Sequence, residues 1–279
     1  MLPLDLFIIR HGESEGNRAL RKYEENSNCD FPAEFLNRHQ TDLRLTDKGK
    51  AQAQVTGNWL KNWLKENNLP RFDRHFVSTH TRTLETAALL DLPDVEWKPT
   101  FQLRERDVGI WGSIPDKNWQ KQWNKSFRLN QNHRFYTPMP NGESIANVCD
   151  RLRNFINALD RDSEDVNRKR VVIVTHGDAT HAFRVILEHI SPNTYDELVK
   201  ANLPDFRIGN GQIVHYTRIE PHGVSEFRAM EYERVSWVRS INPWKPDFAG
   251  HDWRPIKQRR YTNDELLAMV NRFPRLIND

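Results

Sequence analysis

Cysteine is scarce in this chain, which has only Cys29 and Cys149 among its 279 residues. So few thiols exclude a disulfide-built scaffold and favour a reducing compartment, so we expect a cytoplasmic protein. Two reduced, inert thiols fit this expectation best, although a bridge between them stays open. Long apolar runs are missing as well, because none approaches the roughly 20 residues that a bilayer requires. The first residues lack the basic start and small-residue cleavage site of a secretory signal, and we expect no membrane partner.

Charge is plentiful but balanced, with 41 lysines and arginines against 38 aspartates and glutamates. The net charge of +3 is too small to imply nucleic-acid binding, so no nucleic-acid partner is expected. One basic run, Arg254 to Arg260, is interpreted as a solvated surface segment. Tryptophan is less ordinary, because most of the nine lie in residues 97–123 and 237–253. Such aromatic clusters indicate core or lid packing before they indicate ligand stacking.

Apolar runs of strand length alternate with helical patterns along most of the chain. The clearest helical stripe begins after Asn141, where apolar residues keep a spacing of three and four: Ile145, Val148, Leu152, Phe155, Ile156 and Leu159. Strand-like runs occupy residues 4–9, 72–78, 170–175 and 212–219. This alternation predicts an α/β fold with three layers, α/β/α, around a mainly parallel sheet.

Two polar stretches interrupt the alternation and predict insertions at about residues 18–42 and 113–140. The first is interpreted as a long ordered excursion near the site, and the second as a lid with a helix near 116–127. We therefore predict one domain over residues 1–220 and a C-terminal extension, 221–279, packed on the same domain. In the extension, residues 231–239 are expected to form a strand or an extended arm, and residues 262–271 a short capped helix.

Two of the buried strands end in a histidine followed by a glycine. Arg10-His11-Gly12 closes the first strand, and His176-Gly177 closes the strand at 170–175. Parallel strands of an open sheet deliver their carboxyl ends to one edge, where ligands bind. Arg82 follows a third strand end, so two arginines and two histidines are expected to meet. Guanidinium groups grip phosphate oxygens bidentately, and the arrangement therefore predicts a phosphate pocket.

The pocket residues predict a specific chemistry. A histidine among cations keeps a depressed pKa and stays neutral and nucleophilic near neutral pH, so His11 could attack phosphorus in line. The arginines and His176 would neutralise the negative charge on the phosphoryl oxygens during the transfer. Glu105 is the strongest candidate proton donor, because burial could keep its carboxyl protonated before it acts as a base on water. Glu13 is expected to orient an imidazole or an arginine.

The motif Arg10-His11-Gly12-Glu13-Ser14, followed by Arg82, Glu105 and His176-Gly177, resembles the histidine phosphatase superfamily, which has the phosphoglycerate mutase-like fold. The resemblance extends from Leu4 to about Ile219. It implies that His11 accepts the phosphoryl group and that Glu105 donates the proton. It also implies a phosphate pocket formed by Arg10, Asn17, Arg82, His176 and Gly177. A small phosphorylated substrate is then expected, with no cofactor and no metal, and the oligomeric state is left open.

Departures from the family pattern indicate the subclass. Mutases of this family carry an aromatic residue two positions after the serine, and a glycine–tryptophan segment that binds the phosphoglycerate. Gly16 takes the place of the aromatic residue, and no such segment occurs between Asn17 and Leu45. These departures favour a phosphatase, similar to a branch of broad phosphomonoesterases of plants, fungi and bacteria. A mutase-type phosphotransferase and a catalytically silent phospholigand-binding module are the alternatives.

Two other motifs overlap the same residues. Residues 12–16 fit the nucleophile elbow of serine hydrolases, but only 13 residues precede Ser14, too few for the earlier strand whose loop supplies an oxyanion donor. Ser14 is therefore interpreted as a hydrogen bonder in the pocket. His176-x-Asp178-x-x-His181 lacks an i, i+4 pair of histidines, so no metal site is expected. His80, two residues before Arg82, could touch the substrate but is left out of the predicted site.

Overall fold

The computed structural model describes residues 2–26, 29–109, 124–161, 169–221, 235–247, 252–271 and 275–277. The strands in these residues are β1 (Asp5–Arg10), β2 (Arg74–Val77), β3 (Trp97–Pro99), β4 (Arg170–Thr175), β5 (Ile213–Thr217), β6 (Trp237–Ile241) and β7 (Arg254–Pro255). They form one sheet in the order β3-β2-β4-β1-β5-β6-β7. The first four strands of this order run parallel, and each later strand is antiparallel to the one before it. The predicted α/β class is confirmed, as a mixed sheet with a mostly parallel core.

Helices fill the connections between the strands. Those in the described ranges are α1 (Glu15–Glu25), α2 (Ala33–Leu36), α3 (Asp47–Glu66), α4 (Thr81–Leu89), α5 (Asn124–Asn132), α6 (Ile145–Arg161), α7 (Gly177–Leu187), α8 (Pro192–Ala201) and α9 (Asn263–Val270). Short 3₁₀ turns cover Gln40–Asp42 and Phe101–Leu103. No helix in these parts of the chain combines the length and apolarity that a membrane span requires.

The alternation of side chains along β1 supplies two cores, one on each face of the sheet. Leu6 and Ile8 are fully buried against the apolar stripe of α6. Phe7 and Ile9 are fully buried on the other face, where Trp63 of α3 contributes to the core. Helix α6 packs on α7, and α3 packs on α4. The sheet is therefore the middle layer of three, as the sequence predicts.

The register of β1 on β4 brings the two histidines together. Arg10 pairs with Thr175, so His11 and His176 leave neighbouring strand ends side by side. The backbone N–H of His11 donates to the carbonyl of Thr175 at 3.0 Å. Strand β5 runs in the opposite direction and starts at this edge, which places the preceding turn, residues 209–211, beside the end of β1.

The first predicted insertion is more regular than expected. Helix α1 covers residues 18–25 of the predicted excursion, with Ser14 as its N-cap and Asn17 completing a capping box. Only Ala19 of this helix is buried, so the helix contributes little to the apolar core. In the second insertion, the helix expected near 116–127 lies largely outside the described residues, which include α5 from Asn124.

Strands β6 and β7 belong to the predicted C-terminal extension and lengthen the same sheet. The ring of Trp253 lies 4.8 Å from that of His215 in β5, which joins the extension to the body of the fold. Residues 231–234 of the expected arm lie outside the described residues, and β6 begins at Trp237. The boundary between domain and extension near residue 220 stays a prediction.

The two cysteines are both free thiols. Cys149 is buried in the core on the α6 side of the sheet. Burial raises the pKa of this thiol to about 11, so it is protonated and unreactive at neutral pH. The structure therefore holds no bridge between Cys29 and Cys149, the arrangement that the sequence left open.

Candidate active site

His11 directly follows β1 and is only 2% exposed. Its Nδ1 lies 2.7 Å from the carbonyl oxygen of Gly12, which can only accept, so Nδ1 carries the proton. Nε2 therefore holds the lone pair, and Arg82 Nε donates to it at 3.2 Å. Burial, and then the charges of Arg82 and Arg10, hold the pKa of His11 well below its usual value. The result is a neutral imidazole whose lone pair faces a cation.

His176 closes β4 and is fully buried at the N-terminus of α7. Its ring centroid lies 5.2 Å from that of His11, with an angle of 68° between the ring planes. Its Nε2 lies 2.8 Å from the hydroxyl of Ser78, just beyond the end of β2. Burial, and then the charge of Arg82, hold the pKa of His176 well below its usual value. Three parallel strand ends thus deliver polar side chains to one point.

The two arginines lie at the same edge of the sheet. Arg82 is 7% exposed and contacts His11 from the first turn of α4. Arg10 donates to the main-chain carbonyl of Ile208, and its guanidinium packs against Gly177, where an added Cβ would lie 3.5 Å from Cζ. The structure therefore brings together five of the predicted site residues: Arg10, His11, Arg82, His176 and Gly177.

Glu105 places its carboxylate at the N-terminus of α7. One oxygen accepts from the backbone N–H of Gly177 at 3.1 Å, and the other from the N–H groups of Asp178 at 3.2 Å and Arg106 at 2.9 Å. Burial and the negative charge of Asp178 raise the pKa of Glu105, although the amides and the pocket arginines oppose the shift. A raised pKa favours the protonated carboxyl that a proton donor needs.

Asp178 is a second buried carboxylate beside Glu105, and its part in the site was not predicted. It accepts from Arg106 Nε at 2.6 Å and from Arg134 Nη2 at 2.9 Å. Burial alone would raise its pKa, but Arg134 and Arg106 hold the pKa of Asp178 far below its usual value. The two neighbouring carboxyls are thus driven apart in pKa, a pattern that assigns acid and base roles in enzymes. In the described residues, no group of three or more His, Cys, Asp or Glu is arranged to hold a metal ion.

Asn17 and Ser14 hydrogen-bond to each other at the start of α1, and the predicted place of Asn17 in the phosphate pocket stays a prediction. The hydroxyl of Ser14 accepts from the backbone N–H of Asn17 at 3.3 Å, which caps the helix. The side-chain oxygen of Asn17 accepts from the N–H of Ser14 at 3.2 Å and from Asn210 Nδ2 at 3.0 Å. Asn210 also donates to the carbonyl of His11 at 3.1 Å, so Asn17 is linked to His11 through Asn210. The structure gives Ser14 a capping role, and its interpretation as a hydrogen bonder in the pocket stays a prediction.

Glu13 is buried, and its carboxylate faces the starts of α1 and α3. It pairs with Arg21, accepts from the hydroxyl of Thr46 at 3.1 Å, and lies 3.4 Å from Lys48 Nζ. The sequence left an imidazole and an arginine open as its partner, and the structure gives Arg21, which is outside the pocket. The carbonyl of Gly12 takes the orienting position on His11 instead.

A cavity of about 810 Å³ has Glu105 and His80 in its wall. Residues 35–41 line one side, and the opposite side is formed by His80, Arg104–Asp107, Gly109 and Asn141. The carbonyl of Gln40 accepts from Arg82 Nη1 at 2.7 Å, which ties the first wall to the pocket. The first predicted insertion therefore contributes to the cavity, whereas residues 113–123 of the predicted lid lie outside the described residues.

Residues 6–213 match the family model of the histidine phosphatase superfamily (branch 1). The match covers more than half of the chain and includes Arg10, His11, Arg82, Glu105 and His176. The chain belongs to the histidine phosphatase superfamily.

Relatives of this histidine phosphatase superfamily member include the phosphoglycerate mutase-like protein AT74 of Arabidopsis thaliana. The two are 29% identical over 198 residues, which cover 66% of this chain and 57% of that protein. The 6-phosphofructo-2-kinase/fructose-2,6-bisphosphatase of Aquarana catesbeiana is 26% identical over 202 residues, 72% of this chain and 36% of that protein. The chain thus spans less than two thirds of the length of either. Its fold is similar to the native structure of mycobacterial glucosyl-3-phosphoglycerate phosphatase, with a TM-score of 0.58, 19% identity, and coverage of 90% of this chain and 96% of that one.

Sequence reasoning missed several residues of this superfamily site. His80 lies in it, with its ring 4.7 Å from that of His176, and burial followed by the charge of Arg82 lowers its pKa to about 4. Asn210 was missed because its importance depends on the antiparallel direction of β5. A signal existed for His80, since it is the residue before the helix that carries Arg82. Ser78 had the same kind of signal as the first residue after β2.

Proposed function

We propose that this chain is a phosphomonoester hydrolase that works through a phosphohistidine intermediate on His11. The single observation that carries the proposal is the state of the His11 ring. Its Nδ1 proton is held by the carbonyl of Gly12, and its Nε2 lone pair faces only the cation Arg82 in the contacts described. Such a ring is oriented and neutral, and a dianionic phosphoryl group is the electrophile that the surrounding charges would attract.

In the first step, the phosphoryl group of the substrate binds against Arg10, Arg82 and His176. Arg82 Nε transfers its hydrogen bond from His11 to a phosphoryl oxygen, which releases the Nε2 lone pair. Nε2 then forms a bond to phosphorus as the bond from phosphorus to the ester oxygen breaks. The departing oxygen takes the proton of Glu105, so the alcohol leaves neutral and Glu105 becomes a carboxylate.

In the second step, the carboxylate of Glu105 removes a proton from a water molecule. The oxygen of that water bonds to phosphorus as the bond from phosphorus to His11 Nε2 breaks. Inorganic phosphate leaves, and His11 and the protonated Glu105 are restored. Side chains of this chain perform both steps, so the proposal includes no metal and no organic cofactor.

The phosphatase assignment rests on the region that follows the nucleophile. Gly16 replaces an aromatic residue that the resemblance associates with mutases, and an added Cβ at Gly16 would lie 3.0 Å from a side-chain carbon of Leu43. The proposed substrate is a small phosphorylated molecule whose alcohol part would occupy the cavity, and the proposed compartment is the cytoplasm. The mutase alternative is kept because the relative from Arabidopsis thaliana is named mutase-like.

The experiment is hydrolysis of p-nitrophenyl phosphate, and of a panel of phosphosugars, nucleotides and phosphopeptides, by the wild type and by His11→Gln. We expect phosphate release by the wild type, unchanged by a chelator, and a loss in the variant of about 10³-fold or more. Interconversion of 2- and 3-phosphoglycerate faster than phosphate release would indicate a mutase. Binding of inorganic phosphate without release from any ester would indicate a silent phospholigand-binding module.

A further inference from the structure

The segment that carries Glu105, residues 102–109, is here called the acid segment. A single guanidinium, that of Arg151 in α6, donates to two of its main-chain carbonyls. Arg151 Nη1 lies 2.5 Å from the oxygen of Gln102, and Nη2 lies 3.2 Å from the oxygen of Glu105 itself. The side chain of Arg151 is only 11% exposed, so these contacts are largely shielded from water. The main chain of the proton donor is therefore fixed by a cation outside the pocket.

Glu143, two residues before α6, completes the attachment. Its carboxylate accepts from Arg151 Nε at 2.9 Å, from Arg104 Nη2 at 2.7 Å and from the backbone N–H of Asp107 at 3.0 Å. Its own backbone N–H donates to the carbonyl of Asp107 at 2.8 Å. Glu143 thus holds the acid segment on both sides of Glu105, and it also orients the arginine that holds the middle.

The main chain of the acid segment lies in close contact with that of residues 140–142, just before α6. Gly109 has a φ of +59°, and a Cβ there would lie 2.1 Å from the carbonyl oxygen of Pro140. A Cβ on Gly142 would lie 2.6 Å from the carbonyl oxygen of Asp107. Both positions require glycine, because a side chain would push the acid segment away from the start of α6.

The carboxylate of Glu105 is fixed from the opposite direction, by the amides of Gly177 and Asp178. We propose that Arg151 and Glu143 are positioning residues that hold Glu105 at the leaving oxygen, acting through the main chain of the acid segment. This inference rests on the proposed hydrolase function. Neither residue is among those that line the cavity in the described part of the chain, so neither is assigned a contact with substrate.

A residue that positions the proton donor should affect alkyl and aryl esters differently, whereas a residue that only stabilises the fold should affect both esters equally. An alkoxide leaving group needs a proton in the transition state, whereas a nitrophenolate leaves without one. Displacing Glu105 should therefore lower kcat/KM, which reports transfer of the phosphoryl group to His11, for alkyl esters and leave kcat/KM for aryl esters nearly unchanged. The later hydrolysis step, which also uses Glu105, is common to both esters and enters kcat but not kcat/KM. A small displacement suffices, because proton transfer requires hydrogen-bond distance between donor and leaving oxygen.

The experiment measures kcat and KM on p-nitrophenyl phosphate and on glycerol phosphate for the wild type, Arg151→Met and Arg151→Lys. Glu143→Gln serves as a second variant that keeps the side-chain shape. Arg153→Met is the matched control, because Arg153 lies in the same helix, is 55% exposed and pairs with Asp150. Each variant is also made in the Glu105→Gln background, and its folding is followed by urea unfolding.

We expect Arg151→Met and Glu143→Gln to lower kcat/KM on glycerol phosphate about 10- to 100-fold, with less than about threefold change in kcat/KM on the aryl ester. Arg151→Lys should recover part of the loss, and Arg153→Met should match the wild type. In the Glu105→Gln background, neither change should lower kcat/KM further. Equal losses of kcat/KM on both esters, or the full loss in the Glu105→Gln background, would overturn the inference. Turnover by the wild type would still support the proposed hydrolase function in that case. A folded wild type that hydrolyses neither ester would overturn the proposed function, and the inference with it.

Discussion

Two clusters of buried histidine and arginine lie toward opposite ends of β1. The pocket cluster at the carboxyl end contains Arg10, His11, Arg82 and His176. The Asp5 cluster toward the amino end contains Asp5, Arg170, His215 and Arg239. Burial lowers the pKa of the histidine in both clusters. Burial and a lowered pKa therefore do not distinguish a reactive histidine from a core histidine.

The hydrogen bonds make the distinction. His215 Nδ1 accepts from Arg239 Nε at 3.3 Å, so its Nε2 carries the proton and lies 3.0 Å from the carboxylate of Asp5. Phe7 stacks on the same ring at 3.9 Å. Each ring thus accepts from an arginine Nε on one nitrogen, and the difference lies at the other nitrogen. The N–H of His215 faces the carboxylate of Asp5, an acid that balances the arginine charge inside the fold. The N–H of His11 faces the neutral carbonyl of Gly12, so no carboxylate is bound to this ring, and an anionic ligand can take up the charge of Arg82.

The largest expected effect comes from the same substitution in each cluster. His11→Gln should lower turnover of p-nitrophenyl phosphate by about 10³-fold or more, because the nucleophile is lost. His215→Gln should cost about 2 kcal/mol of unfolding free energy, because a buried, stacked ring loses its partners, and it should leave turnover per folded molecule within about twofold. Steady-state kinetics and urea unfolding of both variants check the contrast. An inactive but stable His215→Gln protein would contradict it.

The second effect concerns the cations of the pocket cluster. Arg82→Lys should lower kcat about 10²- to 10³-fold, because lysine keeps the charge but loses the planar fork that can shift from His11 to the phosphoryl group. Inhibition by inorganic phosphate should weaken in the same variant. Arg44→Lys is the control, since Arg44 is exposed and pairs with Glu85 of α4, the helix that carries Arg82. Equal kcat values for both variants would remove Arg82 from the proposed mechanism.

The third effect concerns the acid of the Asp5 cluster. Asp5→Asn should cost about 3 kcal/mol of unfolding free energy at pH 7, because a buried charge pair is broken. The His215 contacts hold the pKa of Asp5 below its usual 3.8 against the opposing effect of burial. A depressed carboxyl pKa stabilises the fold above the unfolded pKa and loses that contribution as pH falls through the folded pKa. The difference between wild type and variant should therefore shrink below about pH 4 in urea unfolding, and a constant difference would contradict this account.

The smallest effect is on the position of the pH profile. In the proposed mechanism, activity requires protonated Glu105, so kcat on an alkyl phosphate should fall as pH rises through the raised pKa of that group. Asp178→Asn removes a negative charge that raises this pKa, and the alkaline limb should therefore move to lower pH. Asp150→Asn, at an exposed position in α6, should leave the limb in place. A limb that moves to higher pH in Asp178→Asn would contradict the assignment of Glu105 as the acid.

The strand ends and helices with a clear apolar pattern are the parts of the fold that the sequence predicts. The ends of β1 and β4 were predictable, because apolar runs that stop at His-Gly mark buried strands, and parallel strands share an edge. Helix α6 was predictable from its apolar stripe. Helix α1 was not, because it buries little more than Ala19 and its capping residues were interpreted as pocket groups.

Contacts between distant segments account for the rest. The pairing of Asp178 with Arg106 joins residues 72 positions apart, and local periodicity carries no information on such a pair. The attachment of the acid segment to Arg151 has the same character, with separations of 46 and 49 residues.

The most direct test of the account is the site of phosphorylation during turnover. The wild type and His11→Gln are mixed with a ³²P-labelled phosphomonoester, quenched in alkali, in which phosphohistidine survives, and digested for peptide mapping. The account predicts that the label appears on the peptide containing His11 within the first turnover and is absent from His11→Gln. Turnover by the wild type with no label on His11, or a label on Ser14 that persists in the variant, would contradict it.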